Sequence, residues 1–515
     1  MAEEDLIFGK NRHFFGGIEP SNMQNFTAVI EGEHVKITAQ LPADTVINGQ
    51  TLCTVEGAVI RRKTTDYPKD EFDGEEVVVI KTSTTFVDSE TSATGTYYYA
   101  AFPFTTQGVY NRNKANRTSV TPKKRDYLFG YDLVKSTSSP SGRVSYPDDV
   151  DNADFTPAKM NFGGSFSYGD WNFAPGEKFM PRPCMLTYAG VVDHYLNPND
   201  YTQKAKGGAS KVADTSFGGN AMMEWPKIYT KRWEEGGVYH FRCSDTPQDK
   251  SWECWSNYDR LNNQIDHFYT PIYFGSNVSS KLRSISGQAN MVSQNATTEI
   301  NYAKANGSDW YTEVLADRLL IQDLLVMMGK STDGQTVYGK GRCDTNSAVN
   351  TGTMNSRGMF WGSNNGTDGV KVFGMEHFWG NLWRRTAGWM NVNGTQKVKL
   401  TRGTKDGSTV SDYNTDGNGY KTVSGATPSG SSGGYINSMK TEGFGRIPIT
   451  ASGSSSTFEA DDLHYNNSGT MYAFVGGFWC NGLLCGPFCA ALSDTPSLSY
   501  LYFGAALSCK PLATA

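Results

Sequence analysis

The chain has 515 residues, of which 13% are aromatic and 55 are glycine, and its formal net charge is −5 at pH 7. The basic runs, such as Arg61–Lys63, are short, whereas phosphate binding needs a clustered basic surface, so no nucleic-acid partner is expected. No apolar run reaches about 18 residues, so no membrane insertion is expected. The N-terminal residues lack the apolar core of a signal peptide, and the nine cysteines include no Cys-x-x-Cys pair. We therefore expect mostly reduced thiols and synthesis in a cytoplasm without a signal peptide.

Residues 1–30 have mixed polarity and little periodicity, and we predict that they form an N-terminal attachment arm. From residue 31 to residue 122, short alternating runs are separated by turn-forming residues, which is typical of a β-sandwich. The runs lie at His34–Leu41, Gly57–Lys63, Val77–Thr82 and Thr96–Phe104. The order of a GAVIRRKT strand, an acidic Asp-Gly turn and a TYYYAAFPF strand resembles the fibronectin type III-like or immunoglobulin-like modules of phage tail proteins.

A second domain is predicted over residues 123–515, after a linker-like run at Asn111–Arg125 that is rich in Asn, Arg, Lys and Thr. Only one strong helix is predicted in it. Asn306–Asp309 would supply a turn and a cap, Trp310–Met328 carries a broad apolar face, and Gly329 would end the helix in left-handed backbone. The remainder reads as strands and loops, so the predicted fold class is mostly β with few helices (α+β).

The segment Asp412–Gly419 has the Asp-x-Asn-x-Asp-Gly spacing of a calcium-binding loop, with Asp412, Asn414 and Asp416 as candidate ligands. The twelfth position of such a loop is normally Glu, but here it is Val423. A Gly-rich turn explains the same residues and is favoured. No cofactor is therefore expected, and a structural calcium ion in this loop is the alternative.

The segment from Gly476 to Cys509 differs from the rest of the chain because it holds almost no charge. At the chain average of 19% charged residues it should hold about six, yet its only ionisable side chain besides Cys and Tyr is Asp494. It also contains no Val or Ile, the residues in which a buried strand core is usually rich. Gly, Trp and Phe alternate with small, aromatic and thiol residues, a pattern that indicates a rigid frame carrying a variable face.

Two motifs carry a second resemblance, which covers about residues 125–515 because segments at Asn220–Tyr229, Leu282–Gly287 and Gly329–Gly339 share it. The segment Phe373–Gly388 contains Gly-x-x-x-x-x-Gly-Asn-x-Trp, and Gly476-Gly477-x-Trp479 follows in the tail. Together they resemble the formylglycine-generating-enzyme-like branch of the C-type-lectin fold, which implies an elaborated C-type-lectin domain. In such a frame Gly380 permits a tight strand entry and Asn381 bonds loop backbone, while Trp379 and Trp383 fill the core.

Within that branch, the tail resembles the variable region of diversity-generating retroelement target proteins, here residues 476–509. The fixed positions of that pattern are matched by Gly476, Gly477, Trp479, Gly482, Gly486, Phe488, Leu492, Ser497, Ser499, Gly504, Ala505, Leu507, Ser508 and Cys509. The resemblance implies that the intervening positions vary through substitution of template adenines in Asn codons, which never yields Lys, Glu, Gln, Met or Trp. The expected variable, ligand-binding face is Phe478, Cys480, Leu484, Cys489, Ala491, Ser493, Asp494, Leu498, Tyr500 and Tyr502.

The resemblance implies a receptor-binding protein of a phage or prophage tail, located in the virion, that binds a protein or glycan of the host cell surface. Other tail proteins are expected to hold its N-terminal arm, and a homotrimer is expected by analogy with other tail proteins. The alternative is a fixed structural or decoration protein of the virion with a lectin-like glycan-binding domain. Lectin-fold relatives include an oxidase, but Cys480, Cys485 and Cys489 lie in the variable region without His or Lys nearby. No enzymatic activity is expected.

Overall fold

A computed structural model describes residues 17–31, 34–91, 95–121, 125–162 and 164–513. The chain divides into two units, the first comprising residues 1–125 with 246–252 and the second residues 126–245 with 253–515. The sequence predicts a domain boundary between residues 122 and 123, three residues from this division. It does not predict that residues 246–252 group with the first unit.

The first unit is a β-structure built on two antiparallel sheets. Its strands are β1 (Asn25–Glu31), β2 (His34–Gln40), β3 (Thr45–Ile47), β4 (Gln50–Cys53), β5 (Val55–Lys63), β6 (Glu75–Ile80), β7 (Thr84–Asp88), β8 (Tyr97–Thr105) and β9 (Arg117–Val120). One sheet has the order β1-β2-β7, the other the order β6-β5-β8-β9, and β3 and β4 form a separate hairpin. Alternate residues of both sheets, including Val35, Ile37, Ile60 and Tyr99, pack into one apolar core.

Two boundaries near the ends of this unit differ from the sequence prediction. Residues 1–16 of the predicted arm lie outside the described residues, but strand β1 begins at Asn25 and Met23 is buried in the core. The arm therefore cannot extend to residue 30. The predicted linker at Asn111–Arg125 contains strand β9, which pairs with β8, and it buries Asn116. The polar composition of this run indicated a linker, but its Asn116 side chain is buried in the unit. There Asn116 Oδ1 accepts a hydrogen bond from the Met23 backbone N–H at 2.9 Å.

The second unit contains most of the chain. Its first strands are β10 (Leu128–Val134), β11 (Val144–Ser145), β12 (Lys159–Met160), β13 (Phe166–Ser167), β14 (Arg182–Thr187), β15 (Val192–Asn197), β16 (Asp200–Lys204), β17 (Gly219–Pro226), β18 (Tyr229–Glu235), β19 (Val238–Ser244), β20 (His267–Pro271), β21 (Gly275–Val278) and β22 (Lys281–Ser284). The three α-helices described follow among the next elements, which are α1 (Ala296–Lys304), β23 (Trp310–Thr312), α2 (Leu315–Gly329) and α3 (Gly334–Tyr338). The remaining strands are β24 (Trp361–Gly362), β25 (Val370–Val372), β26 (Met375–Glu376), β27 (Trp383–Val392), β28 (Thr395–Val398), β29 (Lys421–Thr422), β30 (Ser429–Gly430), β31 (Gly434–Glu442), β32 (Gly445–Ala451), β33 (Asp462–Tyr465), β34 (Thr470–Val475), β35 (Ala490–Leu492), β36 (Phe503–Gly504) and β37 (Leu507–Cys509).

Three larger sheets organise this unit. The first has the order β11-β10-β19-β18, and the second the order β16-β15-β14-β17-β20-β37-β23. The third has the order β29-β28-β27-β34-β35-β33-β31-β32-β30, with β36 added beside β27. The last strands of the chain are divided between sheets, because β35 and β36 belong to the third sheet and β37 to the second. The C-terminal segment therefore ties two sheets together.

Helix α2 lies inside the second unit, and every residue from Leu315 to Met328 is buried. Its two carboxylates form ion pairs: Lys510 pairs with Asp317 at 2.6 Å, and Arg232 pairs with Asp323 at 2.7 Å. The sequence predicts a start at Trp310, but Trp310–Thr312 is instead strand β23, paired with β37. The left-handed residue after the helix is Lys330 and not Gly329.

The predicted fold class, mostly β with few helices, is confirmed. Helices α1 and α3 were not predicted, because they have only nine and five residues. Both start at a capping side chain: Asn295 accepts from the Thr298 backbone N–H at 2.9 Å, and Asp333 accepts from that of Thr336 at 2.9 Å. Within the part of the chain that the structure describes, no helix is both long and apolar enough to cross a bilayer.

Candidate functional site

The C-terminal segment is held on a frame of buried rings. Trp379, Trp383, Trp479 and Phe488 are all buried, with Trp379 fully enclosed, as expected for rings that fill the core. The Trp379 indole N–H donates to the Gly339 carbonyl at 3.2 Å, so its polar edge is satisfied inside the core. Large rings fill the space between strands that are individually too short to enclose a core.

The backbone positions assigned to the frame are used as expected. Asn381 accepts a hydrogen bond on Oδ1 from the Val349 backbone N–H at 2.9 Å and so fixes a neighbouring loop. Gly477 has a φ of 78°, and a Cβ there would lie 2.5 Å from the Cys485 sulfur. A larger residue at position 477 would therefore be both strained and obstructed, which explains a fixed glycine at this turn.

The ten expected variable positions lie between the end of β34 and the start of β36, with Ala491 inside β35, and they differ in exposure. Cys480 and Tyr500 are exposed, and half-buried positions are Phe478, Leu484, Ser493, Asp494, Leu498 and Tyr502. Cys489 and Ala491 are buried, at 0% and 4% exposed, and pack with Trp383, Phe474 and Phe503. The expectation that all ten positions share one exposed face is wrong for these two. Strand β35 lies between β33 and β34, and Ala490 and Leu492 are also 0% exposed, so this stretch is buried on both faces, which the residue set alone does not reveal.

Three aromatic rings of the segment form a continuous surface, which we call the aromatic face: Phe478, Tyr500 and Tyr502. The centroids of Phe478 and Tyr502 are 4.7 Å apart, and those of Tyr500 and Tyr502 are 5.1 Å apart in a stacked arrangement. Behind them, Tyr502 contacts the buried Phe503 edge to face at 5.0 Å. The aromatic face is therefore the outer layer of an aromatic cluster that continues into the core.

The loop from residue 493 to residue 502 is anchored through its main chain. The Ala296 N–H donates to the Pro496 carbonyl at 2.9 Å, and the Ser293 N–H donates to the Tyr500 carbonyl at 3.1 Å. The Trp383 N–H donates to the Tyr502 carbonyl at 3.0 Å. A buried guanidinium, that of Arg385, donates to the Leu498 carbonyl. These contacts use backbone oxygens of the loop, so they do not depend on which side chains the loop carries.

The loop from residue 477 to residue 486 is anchored in the same way. The Thr345 N–H donates to the Trp479 carbonyl at 2.7 Å, and the Gly482 N–H donates to the Cys343 carbonyl at 2.9 Å. Asn481, a residue not assigned to the variable set, accepts on Oδ1 from the Phe478 N–H at 2.9 Å and closes the turn. The two loops thus have backbones fixed by the frame.

Other side chains of the segment are exposed beside the aromatic face, and the sequence did not single them out. Leu483 is 48% and Leu501 is 62% exposed, so both offer apolar surface to solvent. Ser497 and Ser499, which the family pattern treats as fixed, are also exposed. Their exposure could have been inferred from their position beside the assigned variable residues in short loops. In irregular backbone, exposed and buried side chains do not alternate as they do along a strand.

The electrostatics of the segment follow from burial and from a few charged neighbours. Burial raises the pKa of the Cys485 and Cys489 thiols well above the ordinary value, so these sulfurs stay protonated at neutral pH. On strand β33, His464 lies 2.9 Å from the buried carboxylate of Asp462. Its hydrogen bond to Asp462 raises the pKa of His464, while burial raises the pKa of Asp462.

The candidate calcium loop lies elsewhere in the unit, and its side chains have protein partners. The Asp412 carboxylate pairs with Lys304 at 2.7 Å and with Arg402 at 3.1 Å. Asn414 accepts from the Gly417 N–H at 2.8 Å, and Asp416 accepts from the Asn418 N–H at 2.9 Å, which are contacts of a tight turn. Among the described residues, no group of three or more His, Cys, Asp or Glu side chains is arranged to hold a metal ion.

No protein-family model matches this sequence, and no curated protein matches it significantly.

Proposed function

We propose that the chain is a receptor-binding protein of a phage tail that adheres to a host cell surface through the aromatic face and its exposed neighbours. One observation carries the proposal: two loops present aromatic and small side chains while the frame holds them by their backbones. Side chains in such loops can be exchanged without loss of the loop conformation. A rigid backbone with interchangeable side chains is what a binding surface that changes its partner requires.

The side chains that the site exposes to solvent favour binding without catalysis. The tyrosine rings of Tyr500 and Tyr502 combine apolar area with a hydroxyl, and they lose little conformational entropy when a partner covers them. Leu483 and Leu501 add exposed aliphatic surface. A single such site is small, so several copies on one particle would raise the overall affinity through avidity.

The residue set of the segment supports diversification of this surface. Every assigned variable position carries a residue that substitution at the adenines of an Asn codon can produce, including Cys480, Leu484 and Asp494. A near-copy of the codons for residues 471–510 that differs only at adenines, beside a reverse transcriptase gene, would support it. Flanking DNA without such a copy would instead favour the fixed decoration protein.

Adhesion itself is tested by substitutions that the loop backbone tolerates. Tyr500→Ser and Tyr502→Ser together remove the outer rings, and we expect the purified protein to lose most of its binding to host cells. A matched control is Tyr229→Ser, because Tyr229 is a half-buried tyrosine of a different sheet. Unchanged adsorption by the double variant, with the loop conformation retained, would exclude the aromatic face as the adhesion surface.

The proposal includes a homotrimer in the virion, held to other tail proteins through residues near the N-terminus. In the first unit, the hairpin of β3 and β4 exposes Val46, Ile47 and Leu52, each at least 40% exposed. Exposed apolar side chains of this kind suit an interface between copies. Light scattering on the full-length protein should give three times the chain mass of 56.6 kDa; a value near one chain mass at micromolar concentration would contradict the trimer.

A further inference from the structure

A groove of about 390 Å³ opens on the second unit, and none of its lining residues belongs to the C-terminal segment. One wall is formed by the residues that follow strand β13, among them Tyr168, Asn172 and Phe173. The lining also includes Asn199, in the turn between β15 and β16, and the buried side chains of Met180 and Met359. A volume of this size falls within the range of about 300–1,000 Å³ that is usual for small-molecule sites.

The groove presents polar groups that the protein does not use. The side-chain amides of Asn172 and Asn199 and the hydroxyl of Tyr168 make no hydrogen bond within the described part of the chain. Each amide offers both a donor and an acceptor, and a phenol can do the same. Burial raises the pKa of Tyr168 to about 12, so its hydroxyl keeps its proton at neutral pH.

The lining is otherwise aromatic and apolar, and its rings are held rigidly. The centroid of Tyr168 lies 4.8 Å from that of Phe166 and 5.7 Å from that of Phe360, both edge to face. Phe173 stacks on the buried Phe129 at 5.6 Å. Rings braced in this way need no rearrangement when a ligand covers them, which lowers the entropic cost of binding.

The lack of charged side chains in the groove lining limits the class of ligand. Apart from the Tyr168 phenol, the lining residues carry no ionisable side chain, so the groove has no counter-charge for a phosphate, a carboxylate or an amine. Rigid rings in a lining that also carries two amides match a molecule that has apolar C–H faces and hydroxyls around its edge. We propose that this groove is a second binding site, independent of the aromatic face, for a neutral carbohydrate.

The experiment uses the full-length protein and the neutral methyl glycosides of glucose, galactose, mannose and N-acetylglucosamine at millimolar concentration. Saturation-transfer NMR detects binding, and titration gives the affinity of the glycoside that binds best. Tyr168→Phe, Asn172→Ala and Asn199→Ala each remove one free polar group and leave the rings in place. We expect each to weaken binding about fivefold to tenfold.

Two controls separate the groove from other surfaces. Asn277→Ala removes an exposed amide of strand β21 that does not line the groove, and it should leave the affinity unchanged. The variant Tyr500→Ser/Tyr502→Ser should also bind the glycoside normally, because its substitutions lie in the aromatic face. Absence of saturation transfer to all four glycosides would overturn the inference. So would equal affinities for the wild type and the three groove variants, or binding of glucuronic acid in preference to the neutral sugars.

Discussion

The guanidinium of Arg385 on strand β27 forms an ion pair with the carboxylate of Glu299 on helix α1, with 2.8 Å between Nη1 and Oε2. Both side chains are about 1% exposed. The same guanidinium donates to the Gln294 carbonyl at 2.8 Å and to the Leu498 carbonyl. It also lies over the ring of Phe474, 4.7 Å from the centroid. One buried charge therefore joins the third sheet, helix α1 and the loop that carries Tyr500.

Replacing this charge should loosen the loop as well as lower stability. Arg385→Met keeps an unbranched apolar side chain but leaves the buried Glu299 without its partner. We expect a loss of about 3–5 kcal/mol in the free energy of unfolding, and faster amide exchange over residues 496–503. Urea unfolding and hydrogen exchange measure the two effects.

A charge pair at the surface provides the control for that substitution. Lys135 and Glu234 lie 2.7 Å apart, and both are about one-third exposed. Lys135→Met should cost no more than about 1 kcal/mol because solvent screens the pair. If Arg385→Met were no more costly than Lys135→Met, the anchoring role of Arg385 would be refuted.

The protonation of Glu299 should make stability depend on pH. Neither of its carboxylate oxygens accepts a well-aligned hydrogen bond from the described residues, and burial raises the pKa of Glu299 to about 7. The folded chain therefore keeps a proton that the unfolded chain releases at about pH 4.5. Glu299's contribution to the free energy of unfolding falls as the pH rises from about 4.5 to 7, and it is constant outside that window.

Glu299→Gln isolates this contribution because glutamine has nearly the same shape and does not titrate. The stability of the wild type relative to the variant should fall by roughly 3 kcal/mol between about pH 4.5 and pH 7. Urea unfolding of both proteins across this range gives the difference directly. A difference that does not change with pH would mean that Glu299 is ionised in the folded protein throughout.

A residue of the buried frame and a residue of the aromatic face should respond differently to truncation. Trp379→Ala removes a fully buried ring and should cost about 3–5 kcal/mol. Tyr500→Ala removes a ring that is 42% exposed and should cost no more than about 1 kcal/mol. Thermal or urea unfolding of the two variants makes the comparison. Equal costs would show that Tyr500 is as much a part of the core as Trp379.

Much of the frame could be read from the sequence because it depends on local requirements. The two motifs place large rings beside glycines, and the four rings expected to form the frame are buried: Trp379, Trp383, Trp479 and Phe488. A glycine between such residues marks a position where no Cβ fits, as Gly477 shows. The alternating runs of the first unit likewise identified β2, β5, β6 and β8, since strand periodicity is a property of a few consecutive residues.

The partners of each segment were decided only by the tertiary structure. Trp310–Thr312 has the composition to begin a helix, but it pairs with Leu507–Cys509 almost two hundred residues later, and the ladder of backbone hydrogen bonds makes it a strand. Cys489 and Ala491 carry residues typical of a variable face, yet β35 is paired with β33 on one side and β34 on the other and is buried on both faces. Nothing in the sequence around Arg385 indicates its partners, Glu299 and the carbonyl of Leu498, which the fold brings to it from distant segments. Local sequence determines which residues need burial or a turn, but the direction of a side chain and the partner of a charge depend on contacts between distant segments.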